Sequence, residues 1–250
     1  MSEQDGSTSM VAIVTAAGEG IGEATAHAFA AAGYDLMLVD INEQAVTETG
    51  KALPGAAVEV ADVTDEAAVA ALVARALEKF ARVDVLVNVV GGSRPGKTAA
   101  ELTLEEWNRM LALNLTSTFL MCRAVLPHME QRGKGAIVNV SSGAGLRGMR
   151  ANPGYVAAKA GVAALTRALA LDHGPKGVRV NCVAPGPIRT PLMRRNRTPD
   201  EIKVMGQIAL AGRIGEPEEI AAGILWLASD ASSYVMGQTI EIDGGPASFV

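Results

Sequence analysis

Two side chains able to handle a proton lie four residues apart, in the segment PGYVAAKAG (153–161). Tyr155 and Lys159 share one face of a predicted helix, because side chains at this spacing are neighbours on a helix surface. An ammonium beside a phenol favours the phenolate, so we expect Lys159 to lower the pKa of Tyr155. Such a tyrosine can donate and accept the proton of an alcohol/carbonyl pair. Ser142 ends a predicted strand thirteen residues earlier, and its hydroxyl could hold the substrate oxygen.

Other residues that could do chemistry give weaker signals. A Tyr-x-x-x-Lys pair is common in helices, so a half-exposed aromatic beside a solvated lysine is the better interpretation of the isolated motif. Ser141 lacks the G-x-S-x-G sequence of a hydrolase nucleophile elbow. No metal site is expected, because the histidines and cysteines are scattered along the chain: His27, His128, His173, Cys122 and Cys182.

A glycine-rich loop near the start of the chain could bind phosphate. It lies within VAIVTAAGEGIGEATAHAF (11–29), where a predicted strand is followed by glycines at 18, 20 and 22 and then by a predicted helix. Unpaired N–H groups and the positive dipole end make a helix N-terminus attractive to phosphate. The spelling is not G-x-G-x-x-G, because Glu23 occupies the closing position. A flexible turn between two ordinary elements is the alternative.

An acidic residue after the second predicted strand favours one dinucleotide over another. Asp40 follows Gly22 by 18 residues, where a carboxylate can bind the adenosine ribose hydroxyls. The alternative role is a helix N-cap. A 2′-phosphate would be repelled by Asp40, and Glu19 adds a second negative charge, while residues 34–50 contain no Arg or Lys. We therefore expect NAD rather than NADP.

The elements that must position these residues alternate between strand and helix. The strands are expected at 10–15, 35–40, 56–61, 83–90, 135–142, 177–185 and 239–242. The helices are expected at 20–32, 42–52, 65–80, 103–131, 153–173 and 216–228. Continuous apolar runs are typical of strands buried on both faces of a parallel sheet. The sequence predicts an α/β fold: one doubly wound parallel sheet of about seven strands, with helices on both faces.

Length and composition limit the classes of protein. A chain of 250 residues with 49% hydrophobic residues can bury a large core, and we expect a single domain over 10–250 after a disordered polar tail at 1–9. The net charge of −5 argues against a general nucleic-acid binder. No signal peptide is recognisable, and no apolar run approaches the roughly 18 residues of a membrane span. We expect a cytoplasmic protein without a membrane partner.

The motifs together resemble the short-chain dehydrogenase/reductase family, whose nucleotide motif is T-G-x-x-x-G-x-G. Thr15, Gly20 and Gly22 match it, with Ile21 between the last two glycines, and Ala16 replaces the first glycine. Further matches are DVT (62–64), LVNVVGG (86–92), NLTSTF (114–119), NVSS (139–142), YVAAK (155–159) and APGPIRTPL (184–192). The resemblance covers nearly the whole chain and implies a dinucleotide-binding Rossmann fold.

The resemblance also implies roles. Tyr155 would be the general acid or base, Lys159 would lower its pKa and hold the nicotinamide ribose, Ser142 would polarise the substrate carbonyl, and Asn114 would support a proton-relay water. Local bonding inside a helix is the alternative for Asn114. The expected cofactor-binding residues are Thr15, Ala16, Gly18, Glu19, Gly20, Ile21, Gly22, Asp40, Ile41, Asp62, Val63, Asn88, Val89, Gly91, Tyr155, Lys159, Pro185, Gly186, Ile188 and Thr190.

Three variable segments should contact the substrate: 92–98, 143–153 and 187–212, the last including a lid. They contain eight cations, which could select a carboxylate, a phosphate or a thioester carrier: Arg94, Lys97, Arg147, Arg150, Arg189, Arg194, Arg195 and Arg197. A solvated lid face with some inter-subunit pairs is the alternative. The resemblance implies a homotetramer, with helices 103–131 and 153–173 at one interface and 230–250 at another.

The sequence therefore predicts an NAD(H)-dependent oxidoreductase that transfers hydride between nicotinamide and a secondary alcohol or ketone. A 3-oxoacyl-thioester reductase is an alternative, because residues 212–245 resemble that subgroup. A non-catalytic dinucleotide sensor or assembly subunit is a second alternative, although the presence of Ser142, Tyr155, Lys159 and Asn114 argues against it.

Overall fold

A computed structural model describes residues 9–245, and within them seven parallel strands form one sheet. The strands are β1 (Val11–Thr15), β2 (Asp35–Asp40), β3 (Ala57–Val60), β4 (Val85–Asn88), β5 (Gly135–Val140), β6 (Val178–Pro185) and β7 (Thr239–Ile242). Their order is β3-β2-β1-β4-β5-β6-β7. The chain therefore changes winding direction between β1 and β4, and in such sheets ligands bind beyond the carboxyl ends of the strands at that point.

Helices connect the strands. They are α1 (Gly20–Ala31), α2 (Glu43–Ala52), α3 (Glu66–Phe80), α4 (Leu104–Leu111), α5 (Ser117–Arg132), α6 (Gly143–Arg147), α7 (Pro153–His173), α8 (Pro191–Asn196), α9 (Pro199–Gln207) and α10 (Pro217–Ala228). A π-helical turn, Ala112–Thr116, joins α4 to α5, and short 3₁₀ turns follow α7 and α10. Residues 1–8 of the expected tail lie outside the described residues.

The core consists of two layers, one on each face of the sheet. Alternate strand residues point to opposite faces, so Val14 packs with Phe29 of α1 and Ile224 of α10. Its neighbour Ile13 packs in the other layer, with residues of α3, α5 and α7 such as Met121. Every residue of β1, β4 and β5 is buried, which explains the continuous apolar runs in the sequence. The fold class expected from the sequence is confirmed.

Several predicted boundaries are wrong. The helix expected at 103–131 is interrupted by the π turn, in which one extra residue is accommodated at Asn114. No helix was predicted between 185 and 216, where the structure has α8 and α9, and none was predicted directly after β5, where α6 lies. The fourth and fifth strands are shorter than expected, because the chain leaves the sheet at Asn88 and at Val140 to form the site.

The helical stretch Leu104–Arg132 departs from the expectation that no apolar run approaches the length of a membrane span. Its 29 residues include a window with mean hydropathy 1.3, so by length and composition alone this stretch reaches the range of a membrane span. Half of that window is buried inside the protein. Met121 and Val125 of α5 are fully buried in the second core layer, so packing against the sheet accounts for much of the apolar character.

Candidate active site

The three residues expected to do chemistry lie at the carboxyl end of the sheet. Ser142 follows β5 and caps α6, with its hydroxyl accepting the N–H of Ala144 at 3.2 Å. Tyr155 lies in the first turn of α7, with its phenol near enough to the Ser142 side chain for Ser142 to lower the Tyr155 pKa. The two helices pack closely, because a Cβ at Gly145 would lie 2.7 Å from the Ala160 nitrogen. The close packing of α6 and α7 therefore brings the two hydroxyls together.

The prediction that Lys159 lowers the pKa of Tyr155 is wrong. Burial raises the pKa of the half-buried phenol, and the hydrogen bond with Ser142 opposes that rise only in part. Lys159 does not contribute to the shift. Desolvation penalises the phenolate, so the hydroxyl keeps its proton at neutral pH.

Lys159 is held by main-chain oxygens at the ends of two neighbouring strands. Its side chain is buried, and Nζ donates to the carbonyl of Val140 at 2.9 Å and to that of Val90 at 3.5 Å. Ser141 fixes the same residue from the other side, because its hydroxyl donates to the Lys159 carbonyl at 2.7 Å. Burial lowers the pKa of Lys159 to about 8. The ammonium is therefore fixed at the β4–β5 edge, on α7 one turn after Tyr155.

This buried ammonium should make stability depend on pH. The folded pKa of about 8 lies below the ordinary value of 10.5, so the unfolded chain binds more protons between these values and the free energy of unfolding rises with pH. Relative to Lys159→Met, the wild type should gain about 3 kcal/mol over this range. Urea unfolding of both proteins at the two ends of the range measures the difference. A difference that stays constant with pH would mean that the lysine is not desolvated.

Asn114 in the π turn holds the loop after β4. Its Oδ1 accepts the Gly92 N–H at 2.9 Å, and its Nδ2 donates to the Gly92 carbonyl at 3.0 Å and to the Met110 carbonyl at 3.1 Å. The local bonding considered as an alternative is present, but it accounts for one bond in three. Gly91 leaves room between two functional groups, since a Cβ there would lie 2.7 Å from Lys159 Nζ and 2.8 Å from Asn114 Oδ1.

The glycine loop packs the start of α1 against the end of β1. A Cβ at Gly22 would lie 1.9 Å from the Ala16 carbonyl oxygen, so this position accepts no side chain. Gly20 adopts a φ of 62°, and a Cβ at Gly18 would meet Ala45 at 2.8 Å. Glu19 is the N-cap of α1, but its side chain does not cap the helix. The first N–H groups of α1 therefore have no side-chain cap and are available to an anion.

Ala16 carries backbone strain that the family's usual glycine would avoid. Its φ of 53° is in the left-handed region, which costs a residue with a Cβ about 1–2 kcal/mol. Glycine at this position removes the strain but loses more entropy on folding, so Ala16→Gly should raise the free energy of unfolding by about 0.5–1 kcal/mol. Urea unfolding measures this gain, and Ala17→Gly, at a neighbouring residue without positive φ, should destabilise instead.

Asp40 is positioned by the glycine loop. Its Oδ2 accepts the Gly18 N–H at 3.0 Å and its Oδ1 accepts the Asn42 N–H at 2.9 Å. Asn42, not Asp40, caps α2, because its Oδ1 accepts the Ala45 N–H at 3.2 Å. The N-cap alternative for Asp40 is therefore wrong, and its carboxylate lies beside the loop.

Glu19 is not the free negative charge that the sequence suggested. Arg195 of α8 forms two hydrogen bonds to its carboxylate, one of them 3.0 Å long. A Cβ at Gly20 would meet Thr190 at 3.2 Å, so the segment before α8 also lies against the loop. The two residues of this ion pair are 176 positions apart, and no local pattern in the sequence signals their contact.

Two other expected cofactor residues hold strands together. The Thr15 hydroxyl accepts the N–H of Val89 at 3.0 Å and donates to the Val87 carbonyl at 3.3 Å, which joins β1 to β4. The Asn88 amide points into the core, where it donates to Asn139 Oδ1 at 2.9 Å. Asn139 in turn donates to the Thr166 hydroxyl at 3.0 Å. Asn139 lies in the NVSS motif, but the sequence alone gave it no role.

The expected adenine contacts lie at the end of β3. Asp62 Oδ1 accepts the Thr64 N–H at 2.9 Å and the Thr64 hydroxyl at 2.7 Å, which forms a local turn. Val63 is buried beneath this turn, whereas Ile41 after β2 is 67% exposed. An apolar surface is thus available near the Asp40 carboxylate.

The expected residues after β6 lie at the carboxyl end of that strand. Pro185 ends β6, and the Gly186 N–H donates to the Ile242 carbonyl at 3.1 Å. Ile188 is buried and forms an isolated parallel bridge to Gly215. The segment that leads into α8 is therefore tied to the sheet edge.

The structure separates the eight cations into two groups. Five of them pair with carboxylates: Lys97 with Glu106, Arg147 with Glu241 and Asp243, Arg189 with Glu216, Arg195 with Glu19, and Arg197 with Glu201. Arg94, Arg150 and Arg194 are exposed, and their side chains have no hydrogen-bond or ion-pair partner within residues 9–245. Most of the set is therefore engaged in ion pairs within the chain, and the inter-subunit pairs of the alternative stay a prediction.

The described residues contain no group of histidine, cysteine or acidic side chains that could hold a metal ion. Cys122 and Cys182 are both buried and free. His128 accepts the Val83 N–H at 3.3 Å, and His173 pairs with Glu130. These side chains have structural contacts in the fold.

Comparison with known proteins identifies the family. A family model described as enoyl-(acyl carrier protein) reductase matches residues 15–246. Cis-4-hydroxycyclohexanecarboxylate dehydrogenase of Sinomonas cyclohexanicum is 42% identical over 240 residues, covering 94% of this chain and 95% of the relative. Meso-2,3-butanediol dehydrogenase of Serratia marcescens is 41% identical over 239 residues, covering 94% and 93%.

A solved structure extends this similarity to three dimensions. The 3-ketoacyl-(acyl-carrier-protein) reductase from Brucella melitensis, complexed with NADH, gives a TM-score of 0.89 at 31% identity, covering 95% of this chain and 98% of that chain. The relatives are named as dehydrogenases or reductases, and the matches extend over nearly the whole length of each chain. The protein therefore belongs to the short-chain dehydrogenase/reductase family of oxidoreductases.

Proposed function

We propose that this protein is an NAD(H)-dependent oxidoreductase that acts on a secondary alcohol or the corresponding ketone. The observation that carries the proposal is the contact between the Tyr155 and Ser142 hydroxyls, at the sheet edge where Lys159 is also anchored. One hydroxyl can hold a substrate oxygen while the other exchanges a proton with it. A single catalytic domain over 10–250, with a lid at 187–212, is part of this proposal.

The residues at the glycine loop fit a nicotinamide dinucleotide. The first N–H groups of α1 have no side-chain cap, and Gly18, Gly20 and Gly22 place no side chain at three positions of the loop. When bound, such a cofactor supplies or accepts the hydride at the carbinol carbon. The Asp40 carboxylate suits ribose hydroxyls and would repel a 2′-phosphate, which supports NAD over NADP. Because Glu19 is neutralised by Arg195, this preference rests on Asp40 alone.

The chain's own residues would handle the proton. In reduction, Tyr155 donates its proton to the substrate oxygen, and burial keeps this proton in place at neutral pH. In oxidation, the phenolate accepts the proton, so the reaction in this direction should accelerate as pH rises toward the Tyr155 pKa. Ser142 hydrogen-bonds the substrate oxygen, Lys159 contributes a positive charge next to the site, and Asn114 fixes the loop that borders it.

The substrate is a small alcohol or ketone that can carry an anionic group. The two dehydrogenase relatives are named for secondary alcohols, and one of these carries a carboxylate. The Brucella melitensis neighbour favours 3-oxoacyl-thioester reduction as the second candidate. We also propose that the protein is a homotetramer located in the cytoplasm. The two free, buried cysteines are compatible with this reducing compartment. The sensor alternative predicts cofactor binding without turnover.

The ion pair between Glu19 and Arg195 should slow dissociation of the dinucleotide. It joins α8 to the glycine loop that would bind the dinucleotide, so we expect this contact to open before the cofactor leaves. The Arg195 and Glu19 side chains are 57% and 39% exposed, and exposed pairs contribute at most about 1 kcal/mol. Arg195→Gln should therefore accelerate NADH dissociation about two- to five-fold in stopped-flow fluorescence, and adding Glu19→Gln should have little further effect. Independent effects of the two substitutions would show that the Glu19–Arg195 ion pair does not retain the cofactor.

The proposed function is tested by NADH or NADPH formation from NAD⁺ or NADP⁺ with secondary alcohols, hydroxy acids and 3-hydroxyacyl thioesters. Turnover with NAD⁺ and alcohols or hydroxy acids is expected. A marked preference for thioesters would support the second candidate. NAD binding without turnover across the whole panel would contradict the proposal in favour of a sensor.

A further inference from the structure

Two of the unpaired arginines lie on loops that are hydrogen-bonded to each other. Arg94 follows Ser93, whose hydroxyl accepts a hydrogen bond from Asn152 Nδ2 at 2.6 Å. Arg150 precedes Ala151, whose carbonyl accepts the Gly96 N–H at 2.8 Å. These two contacts lie on either side of Arg94 in the sequence, so they hold its loop against the loop that carries Arg150.

These loops border the proposed site. The loop with Arg150 joins α6, which begins after Ser142, to α7, which carries Tyr155 in its first turn. The loop with Arg94 continues from Gly92, which Asn114 fixes by two hydrogen bonds. The two guanidinium groups are thus attached to the segments that position the reacting hydroxyls.

Two partly exposed apolar side chains lie close to Arg150 in the sequence. Leu146 of α6 is 41% exposed, and Met149 immediately before Arg150 is 36% exposed. A ligand that covers them needs an apolar body, while the arginines need an anion. Two exposed cations without a carboxylate partner in an acidic protein are available to an external anion.

Arg194, the third of the eight cations without a side-chain partner in the described residues, lies on the other side of α8. Asn196 of the same helix reaches the Ser93 carbonyl at 3.3 Å. Residues two apart on a helix point about 200° apart, so Arg194 faces away from the Ser93 junction. It has the same charge and a similar exposed setting, which makes it a matched control.

We propose that Arg94 and Arg150 form a carboxylate-binding rim, and that the substrate is a hydroxy acid or oxo acid with an apolar skeleton between its carboxylate and its reacting carbon. This inference rests on the proposed function, because that function supplies the alcohol or ketone group. Arginine suits the role, since its planar guanidinium can donate two parallel hydrogen bonds to a carboxylate.

Binding of acid–amide pairs tests the rim without requiring turnover. The probes are cyclohexanecarboxylate, benzoate and hexanoate, each with its neutral amide, titrated by calorimetry in the presence and absence of NADH. At least one acid should bind the wild type about ten-fold more tightly than its amide, as for one charge-assisted hydrogen bond. Arg94→Gln with Arg150→Gln should remove this preference, whereas Arg194→Gln should retain it.

The outcomes separate this inference from the proposed function. Acids that bind the wild type no better than their amides would overturn the carboxylate rim, even if neutral alcohols are oxidised with NAD⁺. An equal loss of acid binding in Arg194→Gln would also overturn it, because the attraction would then be a general effect of surface charge. Failure of the proposed function is seen separately, as an absence of NADH formation with every alcohol and hydroxy acid.

Discussion

Tyr155→Phe should lower kcat by about 10²–10⁴-fold, the usual contribution of a positioned general acid or base. The substitution removes one oxygen from the half-buried ring at the start of α7, and with it the hydrogen bond to Ser142. The variant therefore lacks the phenolic O–H that exchanges the proton with the substrate oxygen. The affinity for NADH should change little, because Asp40 and the glycine loop remain intact. Steady-state kinetics and NADH titration by fluorescence measure both quantities.

The pH profile adds a second readout for the same variant. Burial raises the Tyr155 pKa, so oxidation by the wild type should rise with pH until the phenolate is formed. Tyr155→Phe should lose this dependence along with its rate. Tyr234→Phe is the control, because Tyr234 is fully exposed and lies outside the site. Turnover of Tyr155→Phe within a few-fold of the wild type would make the proton-transfer assignment wrong.

Asp40→Asn should shift the preference between the two dinucleotides by about 100-fold or more. A hydrogen bond to a charged group contributes about 1.5–3 kcal/mol, so loss of the carboxylate should weaken NAD binding by about ten-fold or more. The same change removes the repulsion of a 2′-phosphate, so NADP should bind more tightly. The asparagine oxygen can still accept the Gly18 N–H, so the glycine loop keeps this contact, whereas the Asn42 N–H loses its acceptor.

Glu19→Gln provides the comparison for Asp40→Asn. The charge of Glu19 is already balanced by Arg195, so this variant should change the NAD/NADP ratio only a few-fold. Calorimetric Kd values for both dinucleotides and all three proteins measure the ratios. Tighter binding of NADP than of NAD by the wild type would contradict the role of Asp40. A larger effect at Glu19 than at Asp40 would assign the selectivity to the loop's N-cap.

The parts of the fold predicted well from sequence have an obvious physical origin. Strands β1, β4 and β5 are buried on both faces, so their residues must be apolar without interruption. The start of α1 follows from the glycines that allow it to pack on β1, since Gly22 contacts the Ala16 carbonyl. The interruption of the long helix at Asn114 was not predicted. It depends on a bond from Asn114 to Gly92, which is distant in sequence.

In the candidate site, too, some features could be predicted from the sequence and others depend on the folded structure. The positions of Ser142, Tyr155 and Lys159 could be inferred because their spacing and the surrounding motifs resemble one family. The direction of the Tyr155 pKa shift could not, since it depends on burial in the folded protein and not on which residues are neighbours on the helix. Likewise, the pairing of Arg195 with Glu19 depends on how α8 packs against the glycine loop.

In the proposed reaction, hydride passes directly between a carbinol carbon and the nicotinamide while Tyr155 carries the proton. Isotope transfer tests it most directly. The secondary alcohol that gives the fastest NADH formation is deuterated at its carbinol carbon and oxidised in ordinary water, and the NADH formed is analysed by NMR. We predict one deuteron at nicotinamide C4, on a single face of the ring. Deuterium that appears in water instead, or NADH without deuterium, would contradict the account.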